Sequence, residues 1–138
     1  MTDIDLVRKK LALIETCVRE LRELARPAEI RTDIREQRFV EHTLQIAIQA
    51  ALDAAAHVVS DERLGEPRTN REIFEILARH GFLPATLAEP LRRMVGFRNI
   101  LVHGYEIVDP AVVEKVVSDN LDDLLSFVAA IRERLGSA

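Results

Sequence analysis

The sequence has 138 residues, of which 48% are hydrophobic and 30% are charged, and its formal net charge is -4 at pH 7. This length and apolar content predict a single folded domain over residues 1–138 and exclude an intrinsically disordered chain. The acidic balance excludes nucleic-acid binding by bulk charge, so any contact with RNA must be local.

Cysteine use and hydropathy predict a cytoplasmic protein without a membrane segment. Cys17 is the single cysteine, so no internal disulfide can form, and the charged start "MTDIDLVRKK" does not resemble a signal peptide. The longest apolar region, residues 46–59, is interrupted by Gln49, Asp53 and His57. It is also shorter than the roughly 20 apolar residues that a membrane-spanning helix needs.

The first half of the chain predicts two helices. Apolar residues recur every three or four positions behind Asp3, a good N-cap, and Pro27 closes this first helix. A second helix is predicted from about residue 33 to residue 57 or a little beyond, followed by the connector "SDERLGEPRTN". The apolar positions of the first helix are Ile4, Val7, Leu11, Ile14, Val18 and Leu21.

The second predicted helix is apolar over most of its circumference. Gln45, Gln49, Asp53 and His57 recur every four residues and form one narrow polar stripe. Such a helix lies either at the centre of a bundle or between two subunits, and the size of the chain favours a homodimer. Asp53 and His57 could form an acid and base pair, although a satisfied polar pair inside the bundle is the favoured interpretation.

A third helix is predicted over residues 70–80. Thr69 and Glu72 form a capping box before it, and Gly81 is a typical C-terminal cap. His80 lies beside this glycine at the C-terminal end of the helix, where a positively charged imidazole interacts favourably with the helix dipole. It therefore needs no catalytic role.

Two further helices complete the prediction of an all-α antiparallel bundle of about five helices. The fourth begins near Pro84, carries "TLAEPLRRMVGFRNILVH" and should bend at Pro90. The fifth begins at Asp109 and Pro110 and runs to about residue 135. Its predicted inward residues are Val113, Val116, Val117, Leu121, Leu124, Leu125, Val128 and Ile131.

The fourth helix carries one charge in an unexpected place. On a helical wheel its polar sector contains Arg92, Gly96, Asn99 and His103. Arg98 lies outside that sector, in an apolar stripe and in line with Tyr105, where a charge is costly unless it is paired or faces a cleft. Arg98 and His103 lie about 140° apart, so they converge only if the arginine reaches around or the helix ends at Gly104.

These residue types suit cleavage of RNA without a metal ion. An imidazole can exchange a proton at neutral pH, and Asn99, four residues before His103, could fix its tautomer. The guanidinium of Arg98 grips phosphate oxygens. A base for the 2′-hydroxyl and a cation for the charged transition state are sufficient parts for a ribonuclease that leaves DNA intact.

The stretch "GFRNILVHGY" resembles the signature of the HEPN superfamily (higher eukaryotes and prokaryotes nucleotide-binding domain). It is most similar to the HepT branch, toxin ribonucleases with an R-x4-H-x-Y motif that Arg98, His103 and Tyr105 match without a gap. The helix order, the Ala-rich second helix, the segment "REIFEILARHG" and the length are also similar to that branch.

The resemblance implies a helical homodimer in which the arginine and histidine of both subunits line one cleft. It implies a metal-independent endoribonuclease, the toxin of a type VII-like HepT/MntA toxin–antitoxin pair, that acts on tRNA or mRNA. Arg98 and His103 would be catalytic and Asn99 supporting. A minimal nucleotidyltransferase antitoxin would neutralise the toxin by transferring AMP from ATP onto Tyr105.

Other interpretations stay open. The same helices could form a non-catalytic dimeric module that binds a nucleotide or docks a nucleotidyltransferase. Arg35 and His42 also match a loose Arg and His spacing, but they fit a solvated helix face. The four His are scattered, so no metal site or cofactor is predicted. A basic rim for RNA could consist of Arg68, Arg71, Arg92, Arg93 and Arg98.

Overall fold

A computed structural model describes residues 3–103 and 108–136, with the side chain of His103 excepted. The described residues contain six α-helices and no strand, which confirms the predicted all-α fold. Among these helices, none is long and apolar enough to span a bilayer. The helices are α1 Ile4–Leu24, α2 Ile34–Asp61, α3 Asn70–Arg79, α4 Ala85–His103, α5 Pro110–Asp119 and α6 Leu121–Gly136, with a 3-10 turn at Pro27–Glu29.

Side-chain caps fix where four of the helices begin. Three of these caps were predicted, whereas for the helix that begins after Asp33 only the approximate start was predicted. In each case a side-chain oxygen accepts a hydrogen bond from a backbone N–H of the first turn. One detail of the predicted capping box is wrong, because the Glu72 carboxylate accepts from the backbone N–H of Arg68 rather than from the cap residue. The four caps are Asp3, Asp33, Thr69 and Asp109.

The long helix α2 is the centre of the bundle. It contacts each of the five other helices. Its alanines, Ala47, Ala51 and Ala55 among them, are buried and let neighbouring backbones approach closely. Since its own chain covers these apolar sides, the burial of α2 gives no support to a homodimer, and the homodimer stays a prediction.

The predicted fifth helix is wrong in one respect, because the chain forms two helices that meet at Asn120. Asn120 ends α5 with φ -112° and ψ -2°, and its Nδ2 donates to Asp123 Oδ2 over 2.9 Å. Short polar side chains such as that of asparagine form hydrogen bonds with nearby groups that compete with the backbone hydrogen bonds of a continuous helix. Asp122 and Asp123 lie in the first turn of α6, where their negative charge stabilises the start of a new helix through its dipole.

An aromatic pair joins α3 to α6 in the core. The rings of Phe74 and Phe127 meet edge to face, with centroids 5.8 Å apart and an interplanar angle of 89°. Both side chains are buried, although Phe127 was absent from the predicted inward residues. The pair fixes the spacing between α3 and the C-terminal helix.

We expect Phe127→Ala to lower the free energy of unfolding by about 3–5 kcal/mol, because it removes a fully buried ring and leaves a cavity. Urea unfolding followed by circular dichroism measures the change. Ser126→Ala, on the exposed side of the same helix, should change it by less than about 0.5 kcal/mol. Similar losses in the two variants would contradict this account of the core.

Candidate functional site

Helix α4 forms one wall of an open groove with a volume of about 990 Å³. Leu91, Met94, Val95 and Phe97 are buried, so their packing fixes how the helix is rotated. The first turns of α3 and α5 supply the other groove residues, including Arg71 and Val112. Pro90 lies inside α4, and a bend at this residue stays a prediction.

Arg98 projects from α4 into this groove. It is half-buried, and its Nη1 donates to Asn99 Oδ1 over 3.0 Å. This hydrogen bond turns the guanidinium towards the sector of Asn99, the direction that convergence with His103 requires. Its Nε is buried and has no hydrogen-bond partner among the described residues. A buried cationic donor without a partner is costly, and an incoming anion would remove that cost.

The other residues of the R-x4-H-x-Y motif lie at the end of α4 or beyond it. His103 is the last residue of α4, seven positions after Gly96 and therefore on the same helical face. Its side chain, Gly104 and Tyr105 lie outside the described residues. The hydrogen bond between Asn99 and His103, and the position of Tyr105, therefore stay predictions.

The predicted basic rim divides into neutralised and free arginines. Arg92 pairs with Glu75 over 2.7 Å and with Glu89 over 3.3 Å. Arg71 and Arg93 also line the groove, and neither has a carboxylate within 4.0 Å among the described residues. Arg68 is exposed but is not among the residues that line the groove, so its place in the rim stays a prediction.

Gly96 provides the surface on which Arg71 lies. A Cβ built on Gly96 would stand 3.2 Å from Nη2 of Arg71, so the guanidinium rests against the bare backbone of α4. Nothing in the spacing of the sequence predicted this contact. A glycine inside an otherwise regular helix is a signal of close approach that could have indicated it.

Two large apolar side chains are exposed at the groove. Ile100 is 54% exposed and Val112 is 44% exposed, although the wheel placed Ile100 in the apolar part of the helix. Exposed apolar residues beside a groove are typical of a surface that meets another molecule.

The polar stripe on α2 makes different contacts from those predicted, since Asp53 and His57 do not pair with each other. Asp53 accepts from Gln49 Nε2 over 2.8 Å and from Lys10 Nζ over 3.2 Å. The Nε2 of His57 lies 3.1 Å from Asp61 Oδ2. The contact of Asp53 with Lys10 ties α2 to α1 and supports a structural role for the stripe.

The remaining candidates from the sequence have structural positions. Cys17 is buried in the core, and burial raises the pKa of its thiol. The Nδ1 of His80 lies 2.9 Å from the carbonyl oxygen of Ile76, at the end of α3. Arg35 and His42 are exposed, as predicted. Over residues 3–103 and 108–136, no three His, Cys, Asp or Glu side chains gather at a metal-binding distance.

Comparison with known proteins places the chain in a family. A family model described as Ribonuclease HepT-like matches residues 14–131. The chain belongs to the HepT-like ribonuclease family. This confirms the resemblance to the HepT branch of HEPN proteins and the interpretation of the fold.

Individual relatives span nearly the whole chain. An mRNA nuclease HepT from Shewanella oneidensis is 30% identical over 129 residues, which cover 93% of this chain and 97% of that protein. A tRNA nuclease HepT from Aphanizomenon flos-aquae is 34% identical over 100 residues, 72% of this chain and 68% of that protein.

A solved structure shows the same fold in a complex. The tri-AMPylated HEPN toxin of Shewanella oneidensis, bound to an MNT antitoxin, matches with a TM-score of 0.86 and 30% identity. The match covers 96% of this chain and 99% of that one.

We expect Gly96→Ala to raise the free energy of unfolding by up to about 1 kcal/mol, because glycine is costly inside a helix. The new methyl group meets only the flexible end of Arg71, which can shift. Thermal and urea unfolding measure the change.

Gly81→Ala is the matched comparison. Gly81 has φ +79°, a conformation that alanine adopts only with strain, so this variant should lose stability by about 1 kcal/mol. Destabilisation of Gly96→Ala by as much as Gly81→Ala would contradict the packing described at Gly96.

Proposed function

We propose that the protein is a metal-independent endoribonuclease and the toxin of a type VII-like toxin–antitoxin pair, with Arg98 and His103 as its catalytic residues. The observation that carries the proposal is the half-buried guanidinium of Arg98, which lines an open groove with a buried Nε donor that has no partner among the described residues. Membership of a ribonuclease family and the gap-free motif support it.

The proposed reaction is an attack within the RNA strand. His103 accepts the proton of the ribose 2′-hydroxyl, and the 2′-oxygen attacks the neighbouring phosphorus. Arg98 stabilises the negative charge of the phosphorane through its free donors. The imidazolium then returns its proton to the departing 5′-oxygen, which leaves a 2′,3′-cyclic phosphate and a 5′-hydroxyl. Asn99 holds the guanidinium through its side-chain oxygen.

A homodimer is part of the proposal. The exposed side chains of Ile100 and Val112 border the groove and would be covered by a second copy of the chain. Such a contact would bring two sets of Arg98, Asn99 and His103 to one cleft.

The substrate would be RNA, either mRNA or tRNA, as the names of two relatives suggest.

We further propose that a minimal nucleotidyltransferase antitoxin adds AMP to Tyr105. The tyrosine oxygen would attack the α-phosphorus of ATP and release pyrophosphate. The AMPylated state of a relative bound to its MNT antitoxin supports this partner. The added phosphate would compete with RNA for Arg98, since both are anions that its guanidinium binds.

Cleavage of purified total RNA in EDTA tests the enzyme directly. We expect the unsubstituted protein to cleave RNA, and Arg98→Ala and His103→Ala to lose on the order of 100-fold or more, because each removes a group that acts on the reacting linkage. Asn99→Ala should lose about tenfold, since it removes only one bond to the guanidinium. Rates come from the decay of full-length RNA on denaturing gels.

Arg79→Ala, an exposed arginine of α3 away from the groove, is the matched control and should cleave normally. DNA of the same sequence should stay intact. Equal cleavage by the unsubstituted protein and both catalytic variants would indicate a contaminating nuclease and contradict the proposal. Loss of all cleavage in EDTA would contradict its metal independence.

The acceptor of AMP is tested by mass spectrometry of the intact protein after incubation with the nucleotidyltransferase and ATP. We expect one or more AMP units on the unsubstituted protein and none on Tyr105→Phe, which lacks the hydroxyl nucleophile. His103→Ala, with an intact tyrosine, should still be modified. Adducts that persist in Tyr105→Phe would refute the assignment.

A further inference from the structure

We propose that Arg71 and Arg93 bind backbone phosphates of single-stranded RNA next to the linkage that Arg98 holds. This inference rests on the proposed ribonuclease function and adds two substrate-binding residues that lie outside the R-x4-H-x-Y motif. They would position the strand and take no part in proton transfer.

The placement of Arg71 is the first observation. It belongs to the first turn of α3, but its guanidinium crosses to α4 and lies against Gly96. The side chain is exposed and has no carboxylate within 4.0 Å among the described residues. A cation held at a groove without a counter-charge is available to an anion.

The line of cations along α4 is the second observation. The guanidinium of Arg71 rests against Gly96, and Arg93 lies about one helical turn before this glycine. Asn99, which holds the guanidinium of Arg98, lies about one turn after the glycine. The backbone of His103 is seven residues beyond Gly96, about 10.5 Å along the helix axis. Positive charges spread along one wall match the successive phosphates of a strand better than one isolated anion.

The distribution of charge is the third observation. The chain is acidic overall, with a formal net charge of -4, so free arginines in one groove create a local attraction for RNA. Arg92 lies in the same groove but is neutralised by Glu75 and Glu89. The proposal therefore assigns phosphate binding to Arg71 and Arg93 and not to Arg92.

Binding is measured with the full-length protein and a fluorescent 2′-O-methyl RNA, which lacks the nucleophilic hydroxyl and so is not cleaved. We expect Arg71→Gln and Arg93→Gln each to weaken binding about fivefold, and to reduce the slope of log K against log salt by about 0.7 for each lost phosphate contact. Arg71→Lys should retain most of the affinity because it keeps the charge. Arg79→Gln, on the same helix as Arg71 but outside the groove, should bind as the unsubstituted protein does.

Affinities and salt slopes of Arg71→Gln and Arg93→Gln that equal those of Arg79→Gln would overturn the inference. So would absence of binding by the unsubstituted protein. Sedimentation of each variant is measured in parallel, and weaker binding that accompanies loss of a dimer would assign these arginines to a subunit contact instead. Cleavage of ordinary RNA is scored separately, so failure of the ribonuclease proposal is distinguishable from failure of this one.

Discussion

The site depends on a positive charge held half-buried on an apolar helix. Arg98 emerges beside Met94 and Leu91, where an unpaired cation loses hydration without compensation. Asn99 satisfies one of its donors, and the open groove admits solvent or an anion to others. Because its guanidinium lines the groove, a phosphate bound there would offset the cost of the half-buried charge. We therefore propose that the feature that costs stability in the free protein favours binding of RNA.

The rest of the bundle keeps that charge in place. Helix α4 packs against α2, α3 and α6, so its apolar face cannot rotate without opening the core. The ring pair of Phe74 and Phe127 joins α3 to α6. Through α3, the same packing carries Arg71 onto Gly96 of α4. The position of Arg71 in the groove is therefore a consequence of core packing and not of the local sequence around the motif.

Local signals predicted most of the fold. Asp3, Thr69 and Asp109 indicated three of the helix starts because capping depends on residues a few positions apart. The break at Asn120 was missed because the apolar spacing continues through it, so periodicity alone indicates one helix, whereas the contacts of a single side chain end it. Whether α2 is covered by its own chain or by a partner depends on tertiary packing, which periodicity does not specify.

The part of the site that lies within the R-x4-H-x-Y motif could be predicted, because its residues are close together in the sequence. The segment from Arg98 to Tyr105 indicated which helix carries the candidate site. The helical wheel left open whether Arg98 reaches around the helix towards His103 or the helix ends at Gly104, and in the structure the Arg98 guanidinium turns towards Asn99. The contact of Arg71 with Gly96 joins two helices that are distant in sequence, and no spacing rule connects them. The pairing of Arg92 with Glu75 is equally non-local, and it decides which groove arginines remain free.

A crystal structure of the protein with bound 2′-O-methyl RNA tests the central claim most directly. The account predicts a phosphate oxygen about 2.7–2.9 Å from a guanidinium nitrogen of Arg98, with the ribose next to that phosphate facing His103. RNA bound on another face, with the guanidinium of Arg98 still without an anionic partner, would contradict it.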